Sequence, residues 1–175
     1  MRVIAGSARG QQLRAKLPEK VRPTTDYARE AIFSMLEARG GLDGLTVCDL
    51  YCGSGALGIE ALSRGAAHVY FYDSDPKCLA AAKENYEGVN VEGQAHFVRA
   101  TFPLWTPPAE VDLIIADPPY GPLDLNALLH GIVAERVVVE NDRFMPAPVG
   151  WGVTKEKRYG TTLVTILEPS EEVSA

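Results

Sequence analysis

The stretch that most constrains this chain is Gly53-Ser54-Gly55-Ala56-Leu57-Gly58, together with what stands on either side of it. Before it comes the apolar run Leu45-Thr46-Val47-Cys48-Asp49-Leu50-Tyr51, which reads as a buried strand. After it, Leu57, Ala61 and Leu62 recur at helical spacing up to Gly65. A second strand, Val69-Tyr70-Phe71-Tyr72, follows and ends in Asp73, twenty residues beyond Gly53. Strand, glycine turn, helix, strand is a βαβ unit, because parallel strands can be joined only by a crossover. G-x-G-x-x-G in this setting is a ligand turn. Glycine lets the backbone turn sharply and come close to a ligand, and the distant acid can accept hydrogen bonds from both hydroxyls of a ribose.

The same alternation continues along the chain. Asp75-Pro76 starts a helix that runs to about Tyr86, with Pro at the first helical position. Ala95-His96-Phe97-Val98 is a short third strand and residues 111–116 a fourth. Leu125 to Val133 reads as a helix and Arg136-Val137-Val138-Val139-Glu140 as a fifth strand. Gly150-Trp151-Gly152-Val153 and Thr161-Thr162-Leu163-Val164-Thr165-Ile166-Leu167 close the chain as two antiparallel strands around Arg158-Tyr159-Gly160. Ahead of the sheet, Thr24, Thr25 and Asp26 are N-cap candidates for a helix with Ala28, Ala31, Ile32, Met35 and Leu36 on one face. Residues 1–17 read as two short strands joined through Gly6-Ser7-Ala8-Arg9-Gly10. The expected fold is α/β: a mostly parallel sheet with helices on both faces and a final antiparallel pair.

Composition narrows the function classes. With 175 residues, 46% apolar and 23% charged, the chain has the make-up of one soluble domain. No apolar run approaches the roughly 20 residues of a membrane span, and the first residues carry no signal-peptide core, so a cytoplasmic protein is expected. The three cysteines are too few and too scattered for a disulfide framework, and His68, His96 and His130 stand apart, so no metal site is expected. The net charge of −6 argues against a general nucleic-acid binder. Residues 1–39, however, hold eight Lys and Arg against four Asp and Glu, leaving the remainder at −10. A basic leader on an acidic body points to a local polyanion contact.

Asp117-Pro118-Pro119-Tyr120 follows the strand at 111–116. Two prolines have no N–H to continue a ladder. The strand's carboxyl end therefore carries an acid, rigid carbonyls and an aromatic ring, at the sheet edge where α/β folds bind ligands. The acid and carbonyls suit the N–H groups of an exocyclic amine, and the ring suits a base plane. The glycine turn by itself leaves a dinucleotide and S-adenosylmethionine open. Asp49, inside the strand before the glycines, would repel a pyrophosphate and suits an ammonium group. A hydride-transfer enzyme also has no use for the Asp-Pro-Pro-Tyr tetrad. Both features favour S-adenosylmethionine over NAD.

The tetrad resembles the catalytic motif of amino-group methyltransferases acting on adenine N6 or guanine N2. Further matches are Arg2-Val3-Ile4-Ala5-Gly6 with Arg9-Gly10, Arg22-Pro23-Thr24-Thr25-Asp26 with Arg29-Glu30, Asp49 through Gly58, and Glu156-Lys157-Arg158-Tyr159-Gly160. Together they resemble the RsmD family over nearly the whole chain. That resemblance implies a class I methyltransferase fold of seven strands, residues 21–175, behind an RNA-contacting hairpin extension, residues 1–20. It implies methyl transfer to N2 of guanine 966 of bacterial 16S rRNA, within an assembled or partly assembled 30S subunit, by a monomer. Asp117, Pro118, Pro119 and Tyr120 would hold the guanine amine. Thr24, Thr25, Asp49, Tyr51, Gly53, Ser54, Gly55, Asp73 and Thr101 would surround the cofactor, with Asp49 facing its methionine end. Arg2, Arg9, Arg14, Arg22 and Arg29 would meet RNA. Three positions depart from the family pattern. Tyr27 stands where a basic residue is usual, and Gln11 where a second Arg is usual. Arg99-Ala100-Thr101-Phe102 replaces a segment with an Asp or Asn near the adenine, leaving Thr101 as the substitute there.

Overall fold

Helix α1 spans Asp26–Glu37, strand β1 Thr46–Leu50, helix α2 Ala56–Ser63, β2 His68–Asp73, α3 Pro76–Glu87 and β3 Gln94–Arg99. Strand β4 spans Leu113–Ala116, helix α4 Leu125–Leu129, β5 Arg136–Asn141, β6 Trp151–Tyr159 and β7 Thr162–Pro169. These elements come from a computed structural model that describes residues 1–18 and 25–170. Among those residues, seven strands form one sheet in the order β3-β2-β1-β4-β5-β7-β6. The first five are parallel, β7 runs antiparallel to β5, and β6 antiparallel to β7.

The sheet is covered on both faces, so its central strands are apolar on successive residues rather than on alternate ones. Val47, Val69, Phe71, Leu113, Ile115 and Val138 pack with Ile32, Phe33 and Leu36 of α1, Ile59 and Leu62 of α2 and Ala82 of α3. Cys48, Leu50, Ile114, Ala116, Val137 and Val139 point the other way, against Leu125, Leu128 and Leu129 of α4, with Met145 and Trp151. The expected mostly parallel sheet with a closing antiparallel pair is therefore observed. β6 is longer than expected because its pairing with β7 continues past a register shift between Val153 and Lys155. α4 is shorter: His130 is already extended, and Gly131 follows at φ +70°.

The two strands expected in residues 1–17 reduce to one antiparallel bridge, Arg2 to Gln12. The reason lies in α2. Glu60, with no exposed surface, accepts the backbone N–H groups of Ile4 (2.8 Å) and Ala5 (2.9 Å). Ser63 Oγ accepts the N–H of Ala8 (3.0 Å), and its carbonyl accepts that of Ser7 (2.7 Å). Side chains of a helix thus take N–H groups that a longer ladder would have used. Gly6 sits at φ +80°, and a Cβ there would lie 1.8 Å from the Ser63 carbonyl oxygen. Val3, Ala8 and Leu13 join the core beneath.

Candidate active site

The site forms where β1 and β4 lie side by side and their crossovers leave in opposite directions, the place where open α/β sheets bind ligands. Leu50 pairs with Tyr72 on one side and Ala116 on the other. The next residues on the three strands are Tyr51, Asp73 and Asp117, which therefore stand in a row at the carboxyl edge. Asp117 N–H donates to the Leu50 carbonyl (3.3 Å) and Cys52 N–H to that of Tyr72 (3.0 Å), so both loops stay pinned to β1 and β2 as they leave the sheet.

The glycine turn has the backbone its sequence requires. Gly53 and Gly55 have φ of +52° and +75°. Tyr51 is left-handed too, at +61°, an uncommon state for a bulky residue. Its ring lies against Phe102, with centroids 4.0 Å apart. Gly58 has a packing role: a Cβ there would be 2.3 Å from Phe71 Cε1 and 2.8 Å from Val69 Cγ1. Without a side chain, α2 can lie directly on β2.

Two carboxylates brace this turn. Asp73 Oδ2 accepts the N–H of Gly53 (3.0 Å) and Oδ1 that of Asp75 (2.9 Å). Each oxygen keeps a further lone pair for a hydroxyl ligand. Asp49 Oδ2 accepts the N–H of Gly58 (2.9 Å) inside α2. Asp49 has no exposed surface, and its Oδ1 has no hydrogen-bond partner among the described residues. Burial pushes its carboxyl up to about 8, against the Gly58 hydrogen bond, and the charges of Asp117 and Asp73 push the same way. Asp49 was expected to face the methionine end of the cofactor. In the structure it is enclosed, and through Oδ2 it holds the turn and helix together, while Oδ1 is left without a partner among the described residues.

Other expected residues are distributed unevenly. Ser54 is buried, and its carbonyl accepts from Asn85 Nδ2 (2.9 Å). Thr101 is exposed and bridges to Leu104, next to Ala100, whose N–H donates to the Asp73 carbonyl (3.0 Å). Thr25 is the N-cap of α1, its hydroxyl accepting from Ala28 N–H (3.2 Å). Thr24 and Arg22 lie outside the described residues. Arg2, Arg9 and Arg14 are exposed. Arg29 is not: it is fully buried, donating to the Arg2 carbonyl (2.7 Å) and to Asp26 Oδ1 (2.8 Å). Its expected RNA contact is corrected to an internal brace, because α1 turns it inward toward the first residues of the chain.

In the Asp-Pro-Pro-Tyr loop, Pro118 is buried, Asp117 is half-buried, and Tyr120 is 40% exposed. The Tyr120 hydroxyl lies 3.0 Å from Thr162 Oγ1, which in turn donates to Glu140 Oε1 (3.4 Å). Sequence reasoning missed Thr162 and Glu140. The available signal was Glu140 itself, an acid ending an apolar strand at the same edge as Asp73 and Asp117. Among the described residues no cluster of His, Cys, Asp and Glu could hold a metal, and no helix is long and apolar enough to cross a membrane.

Left-handed glycines braced by an acid at the end of the neighbouring strand, over a closing antiparallel strand pair, fit S-adenosylmethionine, and fold and site together define a class I, S-adenosylmethionine-dependent methyltransferase. The model of a family described as "Conserved hypothetical protein 95" matches residues 1–168, and the chain belongs to this RsmD family. It is 36% identical to "Putative rRNA methyltransferase YlbH" of Bacillus subtilis, over 95% of this chain and 97% of that one. It is 32% identical to "Ribosomal RNA small subunit methyltransferase D" of Escherichia coli, over 91% and 85%. The solved structure "Putative methyltransferase yhhF from Escherichia coli" matches with a TM-score of 0.76 at 26% identity, covering 98% of this chain and 99% of that one. The dinucleotide alternative is thereby set aside.

Proposed function

We propose that this protein methylates N2 of a guanine in the 16S rRNA of the small ribosomal subunit, at the position equivalent to 966. The observation that carries the reading is the row of Tyr51, Asp73 and Asp117 across three adjacent strands, with Tyr120 anchored beside it. Relatives named as small-subunit rRNA methyltransferases support RNA as the substrate.

Bound S-adenosylmethionine would supply a methyl group on a positively charged sulfur. Gly53, Ser54 and Gly55 would cradle it, Asp73 would take its ribose hydroxyls, Tyr51 and Thr101 would flank it, and Thr24 and Thr25 would lie near. Asp49 serves as the buried brace of that cradle. An exocyclic amine is a poor nucleophile because its lone pair is conjugated into the ring. The Asp117 carboxylate and Pro118 carbonyl accept hydrogen bonds from the amine and draw its nitrogen toward a pyramidal geometry. The prolines keep both acceptors in place, so alignment costs little entropy. Tyr120 stacks on the base, which must first leave its own stack. After transfer the nitrogen loses a proton, which the Asp117 carboxylate, already accepting from the amine, can take. Arg2, Arg9 and Arg14 would contact phosphates, in a cytoplasmic monomer acting on an assembling 30S particle.

The test is methylation of unmodified small subunits and of free 16S rRNA with labelled S-adenosylmethionine, followed by nucleoside analysis. N2-methylguanosine is expected, with subunits the better substrate. N6-methyladenosine as the only product would assign the tetrad to adenine instead.

A further inference from the structure

The carboxyl edge of the sheet carries a second aromatic feature, beside the Asp117–Tyr120 loop but outside it. Tyr27, in the first turn of α1, is 66% exposed. Its ring meets Tyr159 edge-on, with centroids 5.6 Å apart and planes at 78°. Lys157 Nζ lies 5.2 Å from the centroid of the Tyr159 ring. Tyr159 ends β6 and pairs with Thr162, whose hydroxyl is 3.0 Å from that of Tyr120. Opposed residues of an antiparallel pair have Cα atoms about 5 Å apart. The patch and the loop are therefore neighbours.

Charge selects the occupant. β6 exposes Lys155, Lys157 and Arg158 against one acid, Glu156, on a chain of net charge −6. Among the described residues none of these three cations forms an ion pair. Glu156 is itself engaged, accepting from Thr165 Oγ1 (3.2 Å). Arg158 donates to the carbonyls of Asp142 (3.4 Å) and Thr161 (3.5 Å), tying the β6–β7 turn to the loop after β5. The open Tyr27 ring beside half-buried Tyr159, with exposed cations that form no ion pair among the described residues, on a chain of net charge −6, complements a single nucleic-acid strand: rings take bases and ammonium groups take phosphates.

We propose that Tyr27, Tyr159 and Lys157 form a stacking platform for an unpaired nucleobase flanking the methylated one, with Lys157 on the adjoining phosphate. The proposal rests on the reading of this protein as an RNA methyltransferase. Taking the target base out of its stack leaves a neighbouring base without a partner, and the platform replaces that partner.

The experiment compares wild type, Tyr27→Ala, Tyr27→Phe, Tyr159→Ala, Tyr159→Phe and Lys157→Ala. It measures equilibrium binding to an unmodified transcript of the 16S rRNA segment around guanine 966 at several salt concentrations, and methylation of that transcript and of small subunits. Tyr27 is largely exposed, so its replacement leaves the fold intact, and the Phe variants keep the ring at both positions. Loss of either ring weakens RNA binding roughly 5- to 150-fold with the salt slope unchanged, and Phe restores it. Lys157→Ala lowers the salt slope by about one. Affinity for S-adenosylhomocysteine stays at the wild-type value throughout. If the wild type methylates RNA but both Ala variants bind it equally well, the platform is wrong and the methyltransferase reading stands. If the wild type neither binds nor methylates RNA, both fall. If the variants lose only assembled subunits and keep free RNA, the patch meets a ribosomal protein and the proposal is overturned.

Discussion

Gly58 donates its backbone N–H to Oδ2 of Asp49 at 2.9 Å, nine residues away across the glycine turn, where the carboxylate is closed off from water. This one bond ties the strand before the turn to the helix after it.

Burial raises the Asp49 carboxyl to about 8, against roughly 3.9 for an exposed Asp. Between those values the folded protein holds a proton that the unfolded chain has released. The contribution of this group to stability is therefore full below about pH 4 and is lost as pH rises through 8, by at most about 1.4 kcal/mol per pH unit. Asp49→Asn keeps an acceptor for Gly58 but cannot titrate. Thermal unfolding from pH 4.5 to 8.5 should show the variant gaining on wild type as pH rises, and parallel curves would refute it.

Gly58→Ala tests the approach of α2 to β2. The new methyl would lie 2.3 Å from Phe71 Cε1. Overpacking of this kind costs about 1–3 kcal/mol, or a Tm loss of roughly 2–12 °C at this chain length. Combining it with Phe71→Leu should cost less than the sum of the two single changes in a calorimetric double-mutant cycle.

Asp117→Ala should separate chemistry from cofactor binding. Removing one positioned acceptor at a reacting centre costs about 10²–10³ in rate, while S-adenosylhomocysteine affinity by calorimetry should change less than threefold. Tyr120→Phe and Thr162→Val each remove one side of the 3.0 Å contact. Their effects on kcat/KM should not add, because each leaves the other hydroxyl without the same partner.

Glu60→Ala should loosen the start of the chain. It strips the acceptor from the N–H groups of Ile4 and Ala5 and from Arg64 Nε, all within 2.9 Å. Losing one member of a buried charged network costs about 3–5 kcal/mol. Limited proteolysis should then cut within residues 1–13 faster than in wild type, with Glu60→Gln intermediate.

Much of the architecture was legible in local pattern. The apolar strand before Gly53, the acid at 73, the Asp75-Pro76 helix start and the double proline after Ala116 are each set by backbone chemistry within a few residues. Where that reading went astray, distant groups had intervened. Residues 1–17 alternate like a hairpin, but Glu60 and Ser63, more than 50 positions away, take their N–H groups. Arg29 reads as one more surface cation on a basic segment, and only the packing of α1 on the first residues buries it.

The order of elements, the glycine turn and the acids at the strand ends all follow from local pattern, because periodicity and turn chemistry act over short spans. Which charges face water depends on packing across the whole sheet. That packing enclosed Asp49, buried Arg29, set Tyr120 against Thr162 forty-two residues on, and brought Tyr27 onto Tyr159. Burial and side-chain meeting are properties of the packed sheet, fixed by which strands become neighbours, and neither is written in any one segment.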